Sequence, residues 1–158
     1  AFSQTNLKRL GISENDFIKK ISISQKNLNQ KFKNYKFNKS RLFTEYFGGK
    51  DHWIKTKEKF RKKILNGNYG SSGLTNKKLD DILKSRIQLY SKWYGDMSNE
   101  YYKKILIDQG AEYAAMGLLI DKKFKNAVVL GADHHRMTDF YRVDSDIPVV
   151  YLKKNYIT

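Results

Sequence analysis

The stretch that decides the fold class is Ala127-Val128-Val129-Leu130, an apolar run bounded by Gly131. The run is too short for a helix and is typical of a buried strand. A second run of the same kind, Val149-Val150-Tyr151-Leu152, follows Pro148, the only proline in the chain. Between the two runs, alternation over Thr138–Val143 predicts a third strand. The C-terminal part of the chain is therefore predicted to form a small sheet.

Upstream of Ala127 the hydrophobic residues recur with helical spacing. Ser13-Glu14-Asn15-Asp16 is predicted to cap a short helix, Thr75 a long amphipathic helix that ends at Gly95, and Ser98 the helix after it. A basic helix is predicted around Lys50–Lys63. The predicted buried positions of the two capped helices in the middle of the chain are Leu79, Ile82, Leu83, Tyr90, Trp93 and Tyr94, then Tyr101, Tyr102, Ile105, Leu106, Tyr113 and Met116.

These patterns predict an α+β fold with a helical N-terminal two-thirds followed by a small, mainly antiparallel C-terminal sheet. We expect one domain over residues 1–158, mostly helical over 1–125, with the sheet and the candidate site over 126–158. An antiparallel sheet is expected because the connections between its strands are too short for helical crossovers.

The charge of the chain indicates the class of its ligand. Lys and Arg number 31 against 16 Asp and Glu, a formal net charge of +15. Such a surplus repels itself in a compact protein, so it indicates that the protein binds something negative. Nucleic acid fits best, because each neutralised phosphate releases condensed counterions. An anionic membrane surface fits less well: there is no cationic amphipathic anchor, and no membrane insertion is expected.

The chain has no cysteine, which excludes disulfides and thiolate metal sites. This composition predicts action in a reducing interior such as the cytoplasm. It fits equally a domain that crosses a membrane partly unfolded, as the C-terminal part of a larger exported protein.

A polar cluster directly after the first predicted strand carries the candidate chemistry. His134 or His135 is the candidate general base or acid, because histidine exchanges protons at neutral pH. Arginine is a fixed hydrogen-bond donor to phosphate, and Asp133 or Asp139 is a candidate to orient a histidine. The predicted catalytic residues are His134, His135, Arg136, Asp139, Tyr141 and Arg142, and the predicted substrate contacts are Lys153, Lys154, Lys57 and Arg61. We expect no metal ion and no cofactor.

Several other interpretations of these motifs remain open. Asp133-His134-His135 is similar to the motif of DHH phosphoesterases, but the helical region upstream offers none of the strand-end aspartates those enzymes need. An HNH nuclease would need a further histidine downstream, and adjacent histidines rarely bind one zinc ion together. The cluster is equally interpreted as a solvated loop. The glycine-rich segment Asn66–Gly73 is interpreted as a connector or a phosphate cradle. His52 is interpreted as a structural or surface residue, and it ranks third among the histidines as a catalytic candidate.

A basic helical part followed by a short sheet with His134, His135, Arg136, Asp139, Tyr141, Arg142 and Lys153 resembles bacterial nuclease toxins. These are the C-terminal domains of contact-dependent growth inhibition and other polymorphic toxin systems, including barnase-like and RelE-like ribonucleases. The resemblance covers about the last quarter of the chain. It implies metal-independent cleavage of RNA, with tRNA as a common target, and an acidic immunity protein that inhibits the domain.

The residues and the resemblance leave three hypotheses about function. The first is a toxin domain that cleaves RNA without a metal ion. The second is a nucleic-acid-binding module without catalysis, in which the lysines of residues 50–63 matter more than the histidines. The third is a metal-dependent DNase, whose activity would disappear with a chelator and return with a divalent ion.

Overall fold

The fold is described from a computed structural model of the chain. The structure describes Leu7 and residues 11–31, 48–132 and 136–152. Two compact units divide the chain, residues 1–46 and 47–158, and each is described by itself.

The first unit contains helix α1, Glu14–Lys31. Ser13 caps it as predicted: the backbone N–H of Asp16 donates to Ser13 Oγ at 3.1 Å, and that hydroxyl donates to Asp16 Oδ2 at 2.6 Å. The cap satisfies a backbone N–H at the start of the helix, which has no partner within the helix. Leu7 and Phe17 are buried, whereas Ile18 and Ile23 are exposed.

The described residues of the second unit form three long helices, α2 (Lys50–Leu65), α3 (Asn76–Tyr94) and α4 (Asn99–Lys123), with a 3-10 turn at Gly70–Ser72 between α2 and α3. The predicted caps are confirmed. Thr75 Oγ1 accepts from the N–H of Lys78, Ser98 Oγ accepts from the N–H of Tyr101, and Gly95 follows the last residue of α3.

The core of this unit forms where α2 and α3 pack against α4. Of the residues predicted to be buried, Trp93, Tyr94, Ile105 and Tyr113 are only partly buried, and the prediction for Tyr101 is wrong, since its side chain is 42% exposed. The buried residues of the three helices include Phe60 and Ile64, then Leu79, Ile82, Leu83 and Tyr90, then Tyr102, Leu106, Ala111, Ala114, Ala115 and Met116.

Among the described residues the sheet has two strands, β1 (Val129–Ala132) and β2 (Val149–Leu152), and they are parallel. Val129 pairs with Val149 and Gly131 with Tyr151. The prediction of a mainly antiparallel sheet is therefore wrong. Two parallel strands need a return of the chain between them. Here a 3-10 helix, Met137–Arg142, contributes to that return.

Residues 138–143 were predicted to be a strand, and this prediction is also wrong, because the 3-10 helix Met137–Arg142 occupies most of them. Its buried side chains follow a period of three: Met137, Phe140 and Val143 are each less than 5% exposed. Residues three apart lie on one face of a 3-10 helix. Tyr141 is buried next to Phe140, whereas a strand would direct neighbouring side chains to opposite faces.

One face of the sheet is apolar and exposed. Leu130 and Val150 lie opposite each other in the register and are 64% and 47% exposed. Val128, just before β1, is also exposed. The other face carries Gly131 and Tyr151, and the β-carbon of an alanine at position 131 would lie 2.5 Å from Thr138 Oγ1. The sheet therefore contacts the 3-10 helix through this second face.

Two glycines of α4 allow the 3-10 helix to approach closely. A β-carbon at Gly110 would lie 2.5 Å from the ring of Phe140, and one at Gly117 would overlap the backbone carbonyl of Tyr141. Glycine in a helix interior is unfavourable by about 0.5–1 kcal/mol relative to alanine. Glycine at these two positions therefore lowers the helix propensity of α4 but allows the 3-10 helix to pack closely against it.

We predict that Gly117→Ala destabilises the protein by about 1–3 kcal/mol, although alanine favours a helix. The reason is that the new methyl group would meet backbone atoms, which cannot rotate away. The change is measured as the free energy of unfolding in urea. Lys104→Ala, at an exposed position of the same helix, controls for helix propensity. An unchanged or increased stability of Gly117→Ala would contradict the packing described.

Candidate functional site

The 3-10 helix Met137–Arg142 carries most of the described candidate residues, and the loop before α3 holds its C-terminal end. Ser71 Oγ donates to the carbonyl oxygens of Arg142 at 3.1 Å and of Ser145 at 3.3 Å. Gly70, with φ of +52°, leaves room for the carbonyl of Val143, which any β-carbon at that position would overlap. The glycine-rich segment is therefore a packed contact and not only a connector.

Arg136, Asp139 and Tyr151 form a cluster at the other end of this helix. Arg136 Nε lies 3.5 Å from Asp139 Oδ2, and its guanidinium carbon lies 4.7 Å from the centre of the Tyr151 ring. The hydroxyl of Tyr151 donates to Asp139 Oδ1. The carboxylate thus holds the two other side chains, while the tyrosine ring supports the guanidinium through a cation–π contact.

The backbone of Arg136 adds a further constraint. Its φ of +46° is in the left-handed region, which is unfavourable for a side chain of this size. Its carbonyl oxygen accepts from the N–H of Asp139 at 3.2 Å, the first turn of the 3-10 helix. The Arg136 side chain remains 46% exposed. The Arg136 guanidinium therefore contacts Asp139 and the Tyr151 ring and is still accessible to solvent.

Burial and a hydrogen bond keep the Tyr151 hydroxyl neutral. Burial raises the pKa of Tyr151 to about 12, and its hydrogen bond to Asp139 acts in the same direction. The Tyr151 hydroxyl therefore keeps its proton throughout the neutral range and donates a hydrogen bond to the carboxylate. Asp139 is 13% exposed and accepts from this hydroxyl. Its predicted role as an orienter of a histidine stays a prediction, since a carboxylate has room for further donors.

Tyr141 and Arg142 lie in less accessible surroundings than Arg136. The Tyr141 ring packs at 5.2 Å from the ring of Tyr113, and burial raises the pKa of Tyr141 well above its ordinary value. This position favours a packing role for Tyr141. Arg142 Nε is buried and has no hydrogen-bond partner among the residues that the structure describes.

Lys57 and Arg61, two of the predicted substrate contacts, lie between α2 and α4. Lys57 Nζ is 3.2 Å from Asp108 Oδ2 and 3.7 Å from Glu112 Oε1. Arg61 Nη1 lies 3.4 Å from Glu58 Oε1, and Arg61 Nε lies 4.0 Å from Asp108 Oδ1. Both cations are therefore engaged by carboxylates of the protein itself, and an RNA phosphate would compete with these pairs.

The remaining predicted residues fall outside the described part of the chain. They are Asp133, His134, His135, Lys153 and Lys154. In the sequence, the two histidines stand between β1 and Arg136, and the two lysines directly follow β2. Their roles stay predictions.

Two further findings concern only the described residues. They contain no group of three or more His, Cys, Asp or Glu side chains placed to bind a metal ion. Within the same residues, the helices lack the combination of length and apolar character that a bilayer crossing requires.

Sequence reasoning missed Tyr151 as a member of the site. It was assigned only to an apolar strand. The period-two alternation of β2 was the available signal, because it puts Val149 and Tyr151 on one face and Val150, which is exposed, on the other. Which face meets the 3-10 helix depends on the register with β1, and that register is a long-range property.

We predict that Tyr151→Phe lowers stability at neutral pH by about 1–3 kcal/mol, since it removes a hydrogen bond to a carboxylate. In the wild type the folded protein keeps the Tyr151 proton up to a pH of about 12, whereas the unfolded chain releases it near its ordinary pKa of 10.0. The stabilisation that comes from the raised pKa of Tyr151 is therefore fully present below pH 10 and is lost as the pH rises towards 12.

Tyr151→Phe should accordingly lose less stability than the wild type between about pH 9 and about pH 11. Urea titrations at the two pH values measure the difference. Tyr101→Phe, at an exposed tyrosine, controls for the loss of a hydroxyl. Equal losses in the wild type and in Tyr151→Phe would show that the pKa of Tyr151 is not raised in the folded protein, which would contradict its burial and its hydrogen bond to Asp139.

Comparisons with protein-family models, with curated proteins and with solved structures gave no match. The function must therefore be inferred from the residues and the geometry of the chain itself.

Proposed function

We propose that the protein is a toxin domain that binds RNA, with tRNA as one candidate, and cleaves its backbone without a metal ion. The observation that carries the proposal is the Arg136–Asp139–Tyr151 cluster. It presents an exposed guanidinium in a fixed position, one residue after His134-His135 in the sequence. Ribonuclease chemistry needs one group that removes a proton, one that supplies a proton, and a cation that donates hydrogen bonds to the phosphate.

The cleavage reaction divides its tasks among these residues. One histidine of the pair His134 and His135 removes the proton from a ribose 2′-hydroxyl as its oxygen forms a bond to phosphorus. The bond from phosphorus to the 5′-oxygen breaks, and the second proton-transfer group protonates that oxygen. The products are a 2′,3′-cyclic phosphate and a free 5′-hydroxyl, so the reaction consumes no water and needs no co-reactant.

Arg136 stabilises the phosphorane in this proposal. Negative charge accumulates on the non-bridging oxygens as the 2′-oxygen attacks, and a guanidinium can donate two parallel hydrogen bonds to them. Asp139 and Tyr151 hold the guanidinium before the substrate arrives, which reduces the reorganisation needed in the transition state. The left-handed backbone of Arg136 supports the same interpretation, because strained residues concentrate at functional sites.

The charge of the chain supports RNA as the ligand. A net charge of +15 attracts a polyanion over long distances and accelerates its binding. It also makes the protein a target for an acidic inhibitor, in agreement with the resemblance to toxin domains. We propose that the domain acts in the cytoplasm and reaches it as part of a larger exported protein.

We predict that the wild-type protein cleaves total RNA in the presence of EDTA, and that His134→Ala or His135→Ala lowers the initial rate by about 10²–10⁴-fold. Gel analysis of the RNA measures the rate, and plasmid DNA serves as the parallel substrate. Circular dichroism of each variant controls for folding. Full activity in both variants would exclude the proposed histidines, and activity that requires a divalent ion would favour a metal-dependent nuclease.

We predict that Arg136→Ala lowers kcat by about 10²–10³-fold, because it removes a donor to the phosphorane. Arg136→Lys should restore only part of the rate, since an ammonium lacks the planar pair of donors. Lys92→Ala, an exposed position on α3, matches the loss of one positive charge. Equal kcat values for Arg136→Ala and Lys92→Ala would mean that Arg136 contributes only to the general charge.

A further inference from the structure

The basic charge of the second unit is concentrated on α2. This helix carries seven basic and two acidic residues, whereas α4, which packs against it, carries four of each. A helix with such a surplus repels itself, because like charges three or four residues apart destabilise it by a few tenths of a kcal/mol per pair. The surplus of cations on α2 therefore indicates a role beyond solubility.

Six of the seven cations of α2 separate into two sets, and the seventh, Lys50, is the first residue of the helix. In the first set, Lys57 and Arg61 pair with carboxylates of α4, and Lys63 Nζ donates to both oxygens of Asp144 at 2.6 and 2.8 Å. These cations are partly buried and connect α2 to the rest of the unit. They are neutralised within the protein.

The second set is Lys55, Lys59 and Lys62, which we call the α2 lysine face. Their spacing of four and then three residues puts them on one side of the helix, away from the buried Phe60 and Ile64. All three are exposed. In the described part of the chain, no carboxylate lies within 4 Å of Lys55 or Lys62. Lys59 is 60% exposed and lies 3.8 Å from Asp144.

The α2 lysine face lies close to the 3-10 helix. Asp144, which contacts Lys59 and Lys63, follows that helix by two residues, and Arg136 precedes it. A 3-10 helix of six residues is about 12 Å long. A few nucleotides of a nucleic-acid strand would therefore be long enough to reach from Arg136 to α2.

We propose that the α2 lysine face binds the phosphate backbone of RNA on one side of the bond that is cleaved. The identity of the ligand rests on the proposed function. The location of the surface rests on the exposure of the three lysines and, among the described residues, on the lack of a carboxylate within 4 Å of Lys55 and Lys62. Three lysines spread over about 10 Å of helix present closely spaced positive charges. Phosphates that bind there remove the repulsion among the lysines and release their own counterions.

The test is the salt dependence of RNA binding. The ligand is a single-stranded 2′-O-methyl RNA, which lacks the attacking hydroxyl and therefore stays intact. Three proteins are compared: the wild type, the variant Lys55→Gln/Lys59→Gln/Lys62→Gln, and the control variant Lys77→Gln/Lys92→Gln/Lys104→Gln. The control removes the same charge from exposed lysines of α3 and α4. It therefore accounts for the general field of the protein.

We expect the slope of log Kd against log salt concentration to fall by about 2 in the α2 variant, since each phosphate contact on a single strand contributes about 0.7. The control variant should change the slope by much less. Equal slopes for the two variants would overturn the proposed surface, even if the wild type binds and cleaves RNA. A selective loss in the α2 variant would support the surface even if the wild type cleaves no RNA, and absence of binding by the wild type would contradict both proposals.

Discussion

The close contact between the 3-10 helix Met137–Arg142 and α4 is the constraint on which the C-terminal half of the second unit depends. Gly110 and Gly117 leave α4 without side chains where Phe140 and the backbone of Tyr141 approach it. Phe140 is fully buried there. Because protein interiors are packed at the density of organic crystals, a contact of this kind admits only one arrangement of the helix.

The parallel sheet and the candidate site follow from that arrangement. The packed 3-10 helix helps return the chain, so that β2 runs beside β1 in the same direction. The register then puts Tyr151 on the face of the sheet that contacts the 3-10 helix. There its hydroxyl donates to Asp139, and its ring contacts the guanidinium of Arg136. The three side chains come from different parts of the chain, and only the tertiary packing brings them together. Any function of the cluster therefore depends on the stability of α4.

Features set by neighbouring residues were predictable from the sequence. The caps at Ser13, Thr75 and Ser98 are confirmed, because an N-terminal cap depends on residues within one turn of the helix. The direction of the strands was not predictable, since it depends on how the chain returns between them, which is a matter of tertiary packing. The segment 138–143 was misassigned because a mixed apolar and polar pattern of this length fits two periods, and packing on α4 selects a period of three.

The candidate site was predictable only in its location. The sequence indicated Arg136 and Asp139, but the part played by Tyr151 depends on strand register. Pattern alone also could not separate paired from unpaired lysines. Lys57 is neutralised by Asp108, 51 residues later in the chain, whereas Lys55 and Lys62 on the same helix have no such partner among the described residues. Ion pairs between helices thus decide which cations remain available to a polyanion.

Amide hydrogen exchange would test the central claim most directly. The N–H groups of Asp139 and Val143 donate to Arg136 and Phe140 within the 3-10 helix. If this helix and α4 form one cooperative unit, both amides should exchange with the same opening free energy as the buried amides of α4, such as that of Ala114. Rapid exchange of Asp139 and Val143 while Ala114 stays protected would contradict the account, because the helix would then open without α4.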